Sequence, residues 1–264
     1  MKIRLISDIH LEFAQFNLPV MENESEQVLC ICGDLNPFYN FEKKYKGERS
    51  TEYFFESLQG RFKEILYVPG NHEYYNSRIE DDDLFAKKCE DFGVKLLQNS
   101  ATLIQDNTLI VGATLWTDFD KENPISMSQI QYSLNDFQRI VTKNHLFTPH
   151  LALYIHKHQL EFIRETIRAF RSTISDLKVV VLTHHAPHYN SIGIQYRDSN
   201  LNGAYFSDLS TTIEELKPNY WLHGHVHSSN NYKIFDTTVI SNPRGYCKYK
   251  AENPDFNPNF IIEV

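Results

Sequence analysis

The sequence is poor in cysteine, in basic residues and in long apolar stretches, and each shortage excludes a class of protein. Four cysteines in 264 residues are too few for a disulfide-stabilised scaffold. The 26 Lys and Arg are outnumbered by 34 Asp and Glu, and this balance disfavours nonspecific binding to long duplex nucleic acid. No apolar stretch has the length of a membrane span or the pattern of a signal peptide. We therefore expect a cytoplasmic protein without a membrane partner.

What the sequence does contain is a strand-and-helix pattern typical of one α/β domain over residues 1–264. Apolar runs predict strands at 2–7, 28–32, 65–68, 179–182 and 220–222, with further short strands from 232 onward. Helical spacing predicts helices at 50–63, 80–92, 151–174 and 207–216. Runs at 94–97, 101–105 and 109–113 predict an antiparallel meander. Residues 117–150 are irregular, polar and strand-poor, so we predict a cap or insertion over a site.

Five short groups of residues contain the side chains that bind metals in proteins. Four of the groups directly follow apolar runs, and the carboxyl ends of strands in α/β folds meet at one edge. The groups are Asp8–His10, Gly33–Asp34, Gly70–Glu73, His184–Pro187 and Gly224–His227. The sequence therefore predicts one site assembled from distant parts of the chain.

The donors in these groups are oxygen and imidazole nitrogen, without thiolate. They supply seven candidate ligands, namely Asp8, His10, Asp34, Asn71, His184, His225 and His227. This mixture suits manganese, our first expectation, and also iron, zinc, nickel or cobalt, whereas calcium and magnesium prefer oxygen alone. Seven donors are too many for one tetrahedral zinc, but they suffice for two ions that share a carboxylate. Two such ions form a site suited to in-line phosphoryl displacement.

In order and spacing, the five groups resemble the calcineurin-like metallophosphoesterase family, over residues 5–227. The resemblance implies a four-layer α/β/β/α sandwich of two mixed sheets. The ligands that it implies for the first metal are Asp8, His10 and His227. Those implied for the second are Asn71, His184 and His225, and Asp34 is implied to bridge both. His72 is implied to donate a proton to the leaving group, and a hydroxide shared by the metals to be the nucleophile.

The chain departs from the commonest pattern of this family in two places. Asn36 stands close after the Gly-Asp pair, where an acidic residue is frequent, and a role in orienting a neighbour is left open for it. His184 is followed by His185, and we prefer His184 as the ligand because the family histidine stands three residues before the proline. Glu73 is expected to support its neighbours by hydrogen bonding rather than to act in catalysis.

Candidates for substrate contact lie outside the five groups. Arg244 has a guanidinium suited to phosphate, with a structural role as the alternative, and Asn242 belongs to the same loop. Tyr74 and its neighbour Tyr75 follow Glu73, and Trp116 is a candidate for the pocket wall or for core packing. His156 and His158 of the long predicted helix are interpreted as solvent-exposed.

The predicted function is metal-dependent hydrolysis of a small phosphate ester, such as a nucleotide or a phosphorylated metabolite. A protein phosphatase would need an open groove, and a single-strand nuclease would need a basic, aromatic track. Lys43, Lys44 and Lys46 form the only obvious basic cluster. An inactive scaffold is disfavoured because all seven candidate ligands are present. Monoesters and diesters are both open, as is the oligomeric state.

Overall fold

Buried apolar strands form the first of two sheets in the computed structural model, which describes residues 1–105, 107–247 and 252–264. The strands of this sheet are β1 (Lys2–Ile6), β2 (Gln27–Cys32), β3 (Glu64–Val68), β4 (Val94–Leu96) and β11 (Ile261–Glu263). Their order is β11-β1-β2-β3-β4. The first four strands are parallel and β11 is antiparallel to β1, so the sheet is mixed.

The second sheet is also mixed. It consists of β5 (Ser100–Ile104), β6 (Thr108–Ala113), β7 (Lys178–Thr183), β8 (Tyr220–His223), β9 (Asn230–Ile234) and β10 (Thr237–Ser241). The order is β5-β6-β7-β8-β10-β9, with the edge strands β5 and β9 antiparallel to their neighbours. The four inner strands are parallel, so their carboxyl ends lie at one edge.

The predicted three-stranded meander is only partly right. β5 and β6 pair antiparallel as predicted, but β4 belongs to the other sheet and runs parallel to β3. A helix precedes β4 and reverses the direction of the chain, which allows β4 to pair parallel with β3. The short apolar run of β4 does not determine which strand it pairs with. The strands predicted from 232 onward correspond to β9, β10 and β11, while residues 248–251 lie outside the described part of the chain.

Eight α-helices are present in the described residues. They are α1 (Lys43–Lys46), α2 (Thr51–Glu56), α3 (Asp82–Glu90), α4 (Phe119–Glu122), α5 (Pro124–Ser133), α6 (Asp136–Arg139), α7 (Pro149–Arg171) and α8 (Ser210–Leu216). The predicted helix at 50–63 is shorter, because the chain turns before Gly60, whose φ is +71°. None of the helices in the described part of the chain has the length and apolarity that a membrane crossing requires.

The four layers are held together by three apolar clusters. Between the sheets, residues such as Cys30 and Val68 pack against Val180 and Leu222 of the facing strands. The outer face of the first sheet packs against α2 and α3, and the outer face of the second packs against α7 and α8. The α/β/β/α architecture expected from the family resemblance is thereby confirmed.

Residues 117–150 are not irregular, because they contain α4, α5 and α6. Their apolar side chains pack around Trp116 and Phe147, whose ring centroids are 4.8 Å apart. His156 of α7 belongs to this interior, is 3% exposed, and bonds through Nδ1 to the Trp116 carbonyl, so the prediction that it is solvent-exposed is wrong. His156 lies four and seven residues before Leu160 and Ile163, on the buried face of α7, whereas His158 is exposed as predicted.

Candidate metal centre

The seven candidate ligands lie in the loops that leave five parallel strands at their carboxyl ends. Asp8 and His10 follow β1, Asp34 follows β2, and Asn71 follows β3. The histidines from the second sheet lie just beyond β7 and β8, namely His184, His225 and His227. The two sheets thus place side chains up to 219 positions apart (Asp8 to His227, 227 minus 8) in one region.

The first group of donors contains Asp8, His10, Asp34 and His227, whose donor atoms all lie within 4.8 Å of one another. Nε2 of His10 is 3.0 Å from Nε2 of His227. Nε2 of His227 is 3.4 Å from Oδ1 of Asp8, and Nε2 of His10 is 3.7 Å from Oδ2 of Asp34. These atoms converge on a space suited to a cation.

The second group contains Asp34, His184 and His225, again within 4.8 Å. Nε2 of His184 is 3.0 Å from Oδ1 of Asn71 and 3.1 Å from Nδ1 of His225. The same Nε2 is 3.4 Å from Oδ1 of Asp34. Asp34 therefore belongs to both groups, with a different carboxylate oxygen directed toward each.

Hydrogen bonds at the outer ring nitrogens orient three of the imidazoles. Nδ1 of His10 is 3.0 Å from Glu12, and Nδ1 of His227 is 2.7 Å from Glu252. Nδ1 of His184 lies 2.9 Å from the Cys32 carbonyl, which can only accept. A proton on Nδ1 leaves the lone pair on Nε2, which is the arrangement of metal-binding histidines.

The electrostatics of the site also favour a cation. Burial lowers the pKa of both His10 and His184 to about 4, so these rings are neutral at physiological pH. Burial, together with the charges of Glu73 and Asp8, raises the pKa of Asp34 well above its usual range. Burial opposes protonation of His227, but its bonds to Asp8 and Glu252 outweigh that effect and raise its pKa to about 9. A bound cation would stabilise the buried carboxylates, so the donor set fits metal ions.

The backbone at the site is strained. Five of the seven candidate ligands have positive φ, namely Asp8 (52°), His10 (51°), Asp34 (51°), His225 (70°) and His227 (46°). Each left-handed residue other than glycine costs roughly 1–3 kcal/mol and persists only where its surroundings hold it. Such concentration in one small region supports a functional role for these loops.

The glycines of the motifs make room for the donors. A Cβ on Gly70 would lie 2.2 Å from Oδ1 of Asp34, and a Cβ on Gly224 would lie 2.4 Å from the Cys32 carbonyl oxygen. Gly33 also provides a turn, with φ of +83°. At Gly70 and Gly224 glycine is needed because neighbouring atoms approach too closely for a side chain.

Gly70→Ala tests this close packing. The added methyl group must displace the Asp34 carboxylate or the loop after β3, and a shift of about 1 Å can reduce a rate about 100-fold. We expect weaker metal binding and, for the ester hydrolysis that the family resemblance implies, at least about a 100-fold loss of rate. Metal analysis and kinetics on Gly93→Ala provide the control, because Gly93 has φ of +71° but open space around it. Equal metal content and rate in Gly70→Ala and the native protein would contradict the steric argument.

Comparison with known proteins places this geometry in a family. The sequence matches the calcineurin-like phosphoesterase profile over residues 1–229. The chain belongs to the calcineurin-like phosphoesterases. As a member of that family, it is a metal-dependent phosphoric ester hydrolase.

Three similar proteins span nearly the whole of this phosphoesterase chain. Uncharacterized protein L509 of Acanthamoeba polyphaga mimivirus is 28% identical over 287 residues, which cover 99% of this chain and 96% of that protein. Phosphopantetheinyl hydrolase from Mycobacterium tuberculosis has a TM-score of 0.67 at 14% identity, over 93% of this chain and 89% of that one. A putative 5'-nucleotidase from Staphylococcus aureus has a TM-score of 0.50 at 12% identity, over 91% of this chain and 48% of that one. The two solved structures establish the shared fold.

Glu73 of this phosphoesterase holds the loops after β2 and β3 together. Its carboxylate accepts backbone N–H bonds from Gly70 at 2.6 Å, Asp34 at 3.0 Å and Leu35 at 2.7 Å, as well as the Tyr67 hydroxyl. These contacts agree with the expected supporting role. The site thus depends on a buried carboxylate that lies outside the two donor groups.

The structure separates His184 from His185. Nε2 of His184 faces the second donor group, whereas the His185 ring packs against Trp116 and His225, at centroid distances of 5.1 Å and 4.3 Å. Nδ1 of His185 lies 3.3 Å from the Thr114 carbonyl. Of the two histidines, His184 is thus the one whose Nε2 lies among the donors of the second group.

Two carboxylates that sequence reasoning missed complete the surroundings. Asp136, from α6, accepts a hydrogen bond from Nδ2 of Asn71 at 2.8 Å and another from the Tyr75 hydroxyl at 2.7 Å. The bond to Nδ2 directs the other end of the Asn71 amide, Oδ1, toward His184. Glu12 contacts both His10 and His72. The spacing Asp8-x-His10-x-Glu12 was visible in the sequence, whereas the contact of Asp136 with Asn71 had no sequence signal.

A cavity of about 310 Å³ adjoins the donor groups. His72, Asp34 and Asn71 lie on its wall, and four tyrosines surround it, namely Tyr75, Tyr196, Tyr205 and Tyr246. Ser133 to Asp136 contribute a further side, so the segment 117–150 borders the cavity. The volume is within the range of small-molecule sites.

Two of the predicted substrate contacts instead have structural roles. The Arg244 guanidinium donates to the carbonyls of Ile9, Ala14 and Gln15. Nδ2 of Asn242 donates to the carbonyls of Leu5 and Asn257. These bonds use three of the five N–H donors of Arg244 and both of those of the Asn242 amide, and they connect the loop after β10 to the first sheet.

Two of the aromatic candidates, Tyr74 and Trp116, are also buried away from the cavity surface. The Tyr74 hydroxyl donates to Asp82 at 2.6 Å, and its ring lies in the apolar cluster beside α5 and α7. Trp116 lies in the same cluster and is 2% exposed, in line with the packing alternative. Tyr75, the neighbour of Tyr74, is the residue whose side chain reaches the cavity.

Proposed function

We propose that the protein hydrolyses a small phosphate ester, such as a nucleotide or a phosphorylated metabolite, with two metal ions. The observation that carries the proposal is the shared carboxylate of Asp34 between two donor groups, directly beside His72 and the cavity. In this arrangement Asp8, His10 and His227 would hold one ion. Asn71, His184 and His225 would hold the other, and Asp34 would contact both. Manganese is the first candidate, with iron, zinc, nickel and cobalt compatible with the same donors.

The ions, when bound, supply Lewis-acid activation of water and of the phosphoryl oxygens. The protein supplies the orientation of the ester and the proton for the leaving group. His72 is suited to the second task because Nε2 faces the cavity, 3.2 Å from the Tyr246 hydroxyl, while Nδ1 is bound to Glu12 at 2.8 Å. In this proposal the donating ring carries a proton on each nitrogen. The proton on Nε2 passes to the departing oxygen as the P–O bond breaks, and the neutral ring keeps its Nδ1 proton against Glu12.

The tyrosines around the cavity support a planar or apolar leaving group. Tyr205 and Tyr246 approach the donor groups most closely, with ring centroids 4.9 Å from His225 and 4.5 Å from His10. An aromatic ring offers a nucleobase a stacking surface worth about 1–3 kcal/mol. A cavity of about 310 Å³ with walls on several sides favours a small ester over a phosphopeptide, which would require an open groove.

A substrate panel tests the proposal. Phosphomonoesters, cyclic nucleotides, dinucleotides, single-stranded oligonucleotides and a phosphopeptide are assayed with added manganese, and kcat/KM is compared. We expect the highest value on one of the small esters. A preference for the phosphopeptide would indicate a protein phosphatase, and a preference for oligonucleotides a nuclease. Metal-loaded protein that hydrolyses none of them would contradict the proposal, and the Asp34→Asn variant identifies contaminating activity.

A further inference from the structure

Glu12 contacts both His10, a candidate metal ligand, and His72, the proposed proton donor. It lies two residues after His10, and its side chain is 11% exposed. One carboxylate oxygen, Oε1, is 3.0 Å from Nδ1 of His10 and 2.8 Å from Nδ1 of His72. A single carboxylate oxygen has two lone pairs, so it accepts both N–H bonds at once.

We propose that Glu12 is a positioning residue that orients His10 and His72 together, with one oxygen accepting a hydrogen bond from Nδ1 of each ring. The inference rests on the proposed function, since it assigns how His72 is made ready for proton donation. It does not require Glu12 to touch the substrate.

The geometry at the opposite nitrogens supports this role. With a proton on each Nδ1, both Nε2 atoms point toward the site. That of His10 is directed to Asp34 and His227, and that of His72 lies 3.2 Å from the Tyr246 hydroxyl and 4.0 Å from Oδ2 of Asp34. The two rings meet edge to face with centroids 4.6 Å apart. Glu12 therefore sets the direction of a metal-binding nitrogen and of a proton-donating nitrogen through one contact.

Other neighbours of His72 do not perform this task. Asn36, whose role in orienting a neighbour the sequence left open, is occupied elsewhere, because its Nδ2 donates to the Arg49 carbonyl at 2.9 Å and its Oδ1 accepts from Asn40. Tyr75 packs on the His72 ring at a centroid distance of 4.2 Å, which restrains the plane of the ring but not the position of its proton. Within the described ranges, Glu12 is the carboxylate that reaches Nδ1 of His72.

Two substitutions of Glu12 separate hydrogen bonding from packing. Glu12→Leu keeps the approximate volume and removes the acceptor, whereas Glu12→Gln keeps one acceptor oxygen. At saturating manganese, we expect Glu12→Leu to lose about 100-fold or more on an alkyl phosphate ester, but under about 10-fold on the p-nitrophenyl ester, whose leaving group needs no proton. Glu12→Gln should recover most of the alkyl activity. Glu22→Leu, at an exposed position, is the matched control and should match the native rates.

A readout that does not use activity accompanies the kinetics. Long-range proton–nitrogen NMR of the metal-free and zinc-loaded proteins reports which nitrogen of His72 carries the proton in the neutral ring. We expect the neutral ring to be Nδ1–H, the form that remains once Nε2 has given up its proton, in the native protein and in Glu12→Gln, and to shift toward Nε2–H in Glu12→Leu. Metal analysis and thermal unfolding establish that each variant is loaded and folded.

The outcomes distinguish the positioning role from the proposed function. An unchanged His72 tautomer in Glu12→Leu, or equal losses on alkyl and p-nitrophenyl esters, would overturn the positioning role. In a double variant with His72→Ala, the Glu12→Leu change should cost no more on the alkyl ester than it costs on the p-nitrophenyl ester, because the contribution through His72 is already absent. If the native protein hydrolyses no ester at all, the proposed function fails, while the tautomer still decides the role of Glu12.

Discussion

Replacing Asp34 by asparagine is expected to remove one of the two metal ions of the proposed centre and to reduce ester hydrolysis about 10³-fold or more. The carboxylate has an oxygen directed to each donor group, and an amide has only one oxygen to offer. The backbone N–H of His72 donates to Oδ1 at 2.9 Å, so the amide oxygen should remain on that side, near His184. The NH₂ group would then face His10, and the ion held by the first donor group should be the one lost. Loss of one Lewis acid is worth several kcal/mol, which corresponds to the stated change in rate.

Metal analysis of the purified variant, combined with titration calorimetry, measures this outcome directly. Asp83→Asn is the matched control, because it makes the same change at an exposed position on α3 and should keep the native metal content. Thermal unfolding of the metal-free proteins separates loss of an ion from loss of the fold. Two tightly bound ions in Asp34→Asn would refute the bridging role.

The convergence of the seven candidate ligands followed from sequence because it depends on a regular property of the fold. Apolar runs such as those of β2 and β7 are buried along their full length or nearly so, and their carboxyl ends define one edge of each sheet. A ligand that directly follows such a run has little freedom in where it can lie. Residue type and distance from the strand end were therefore sufficient to predict where Asp34 and His184 lie.

The residues around the ligands could not be found in the same way. Asp136 meets Asn71 across 65 positions, through helices that sequence reading had taken for an irregular segment. From the sequence, the guanidinium of Arg244 was a reasonable candidate for binding phosphate. In the fold, it donates hydrogen bonds to three backbone carbonyl oxygens instead. Supporting contacts of this kind depend on loop paths, and loop paths have no periodicity to read.

Replacing His72 by alanine is expected to leave the metal content unchanged while reducing hydrolysis of alkyl phosphate esters by about 10²–10⁴-fold. His72 lies outside the two donor groups that share Asp34, so its removal takes away no ligand of either group. An alkoxide is a poor leaving group and needs a proton as it departs, whereas p-nitrophenolate does not. The p-nitrophenyl ester should therefore lose far less activity than the alkyl ester.

The dependence on leaving group is what separates proton donation from phosphate binding. A histidine that only binds the phosphoryl oxygens contacts the part of the substrate that all esters share, so its loss would lower both rates equally. A series of aryl and alkyl esters of increasing leaving-group pKa, assayed with native protein and His72→Ala, should give a steeper decline in kcat/KM for the variant. Tyr246→Phe is the matched comparison, because it removes the hydroxyl 3.2 Å from Nε2 of His72 and leaves the imidazole in place. Tyr246→Phe should retain the native dependence of kcat/KM on leaving-group pKa. If His72→Ala also shows the native dependence, His72 binds the phosphoryl group and does not donate the proton.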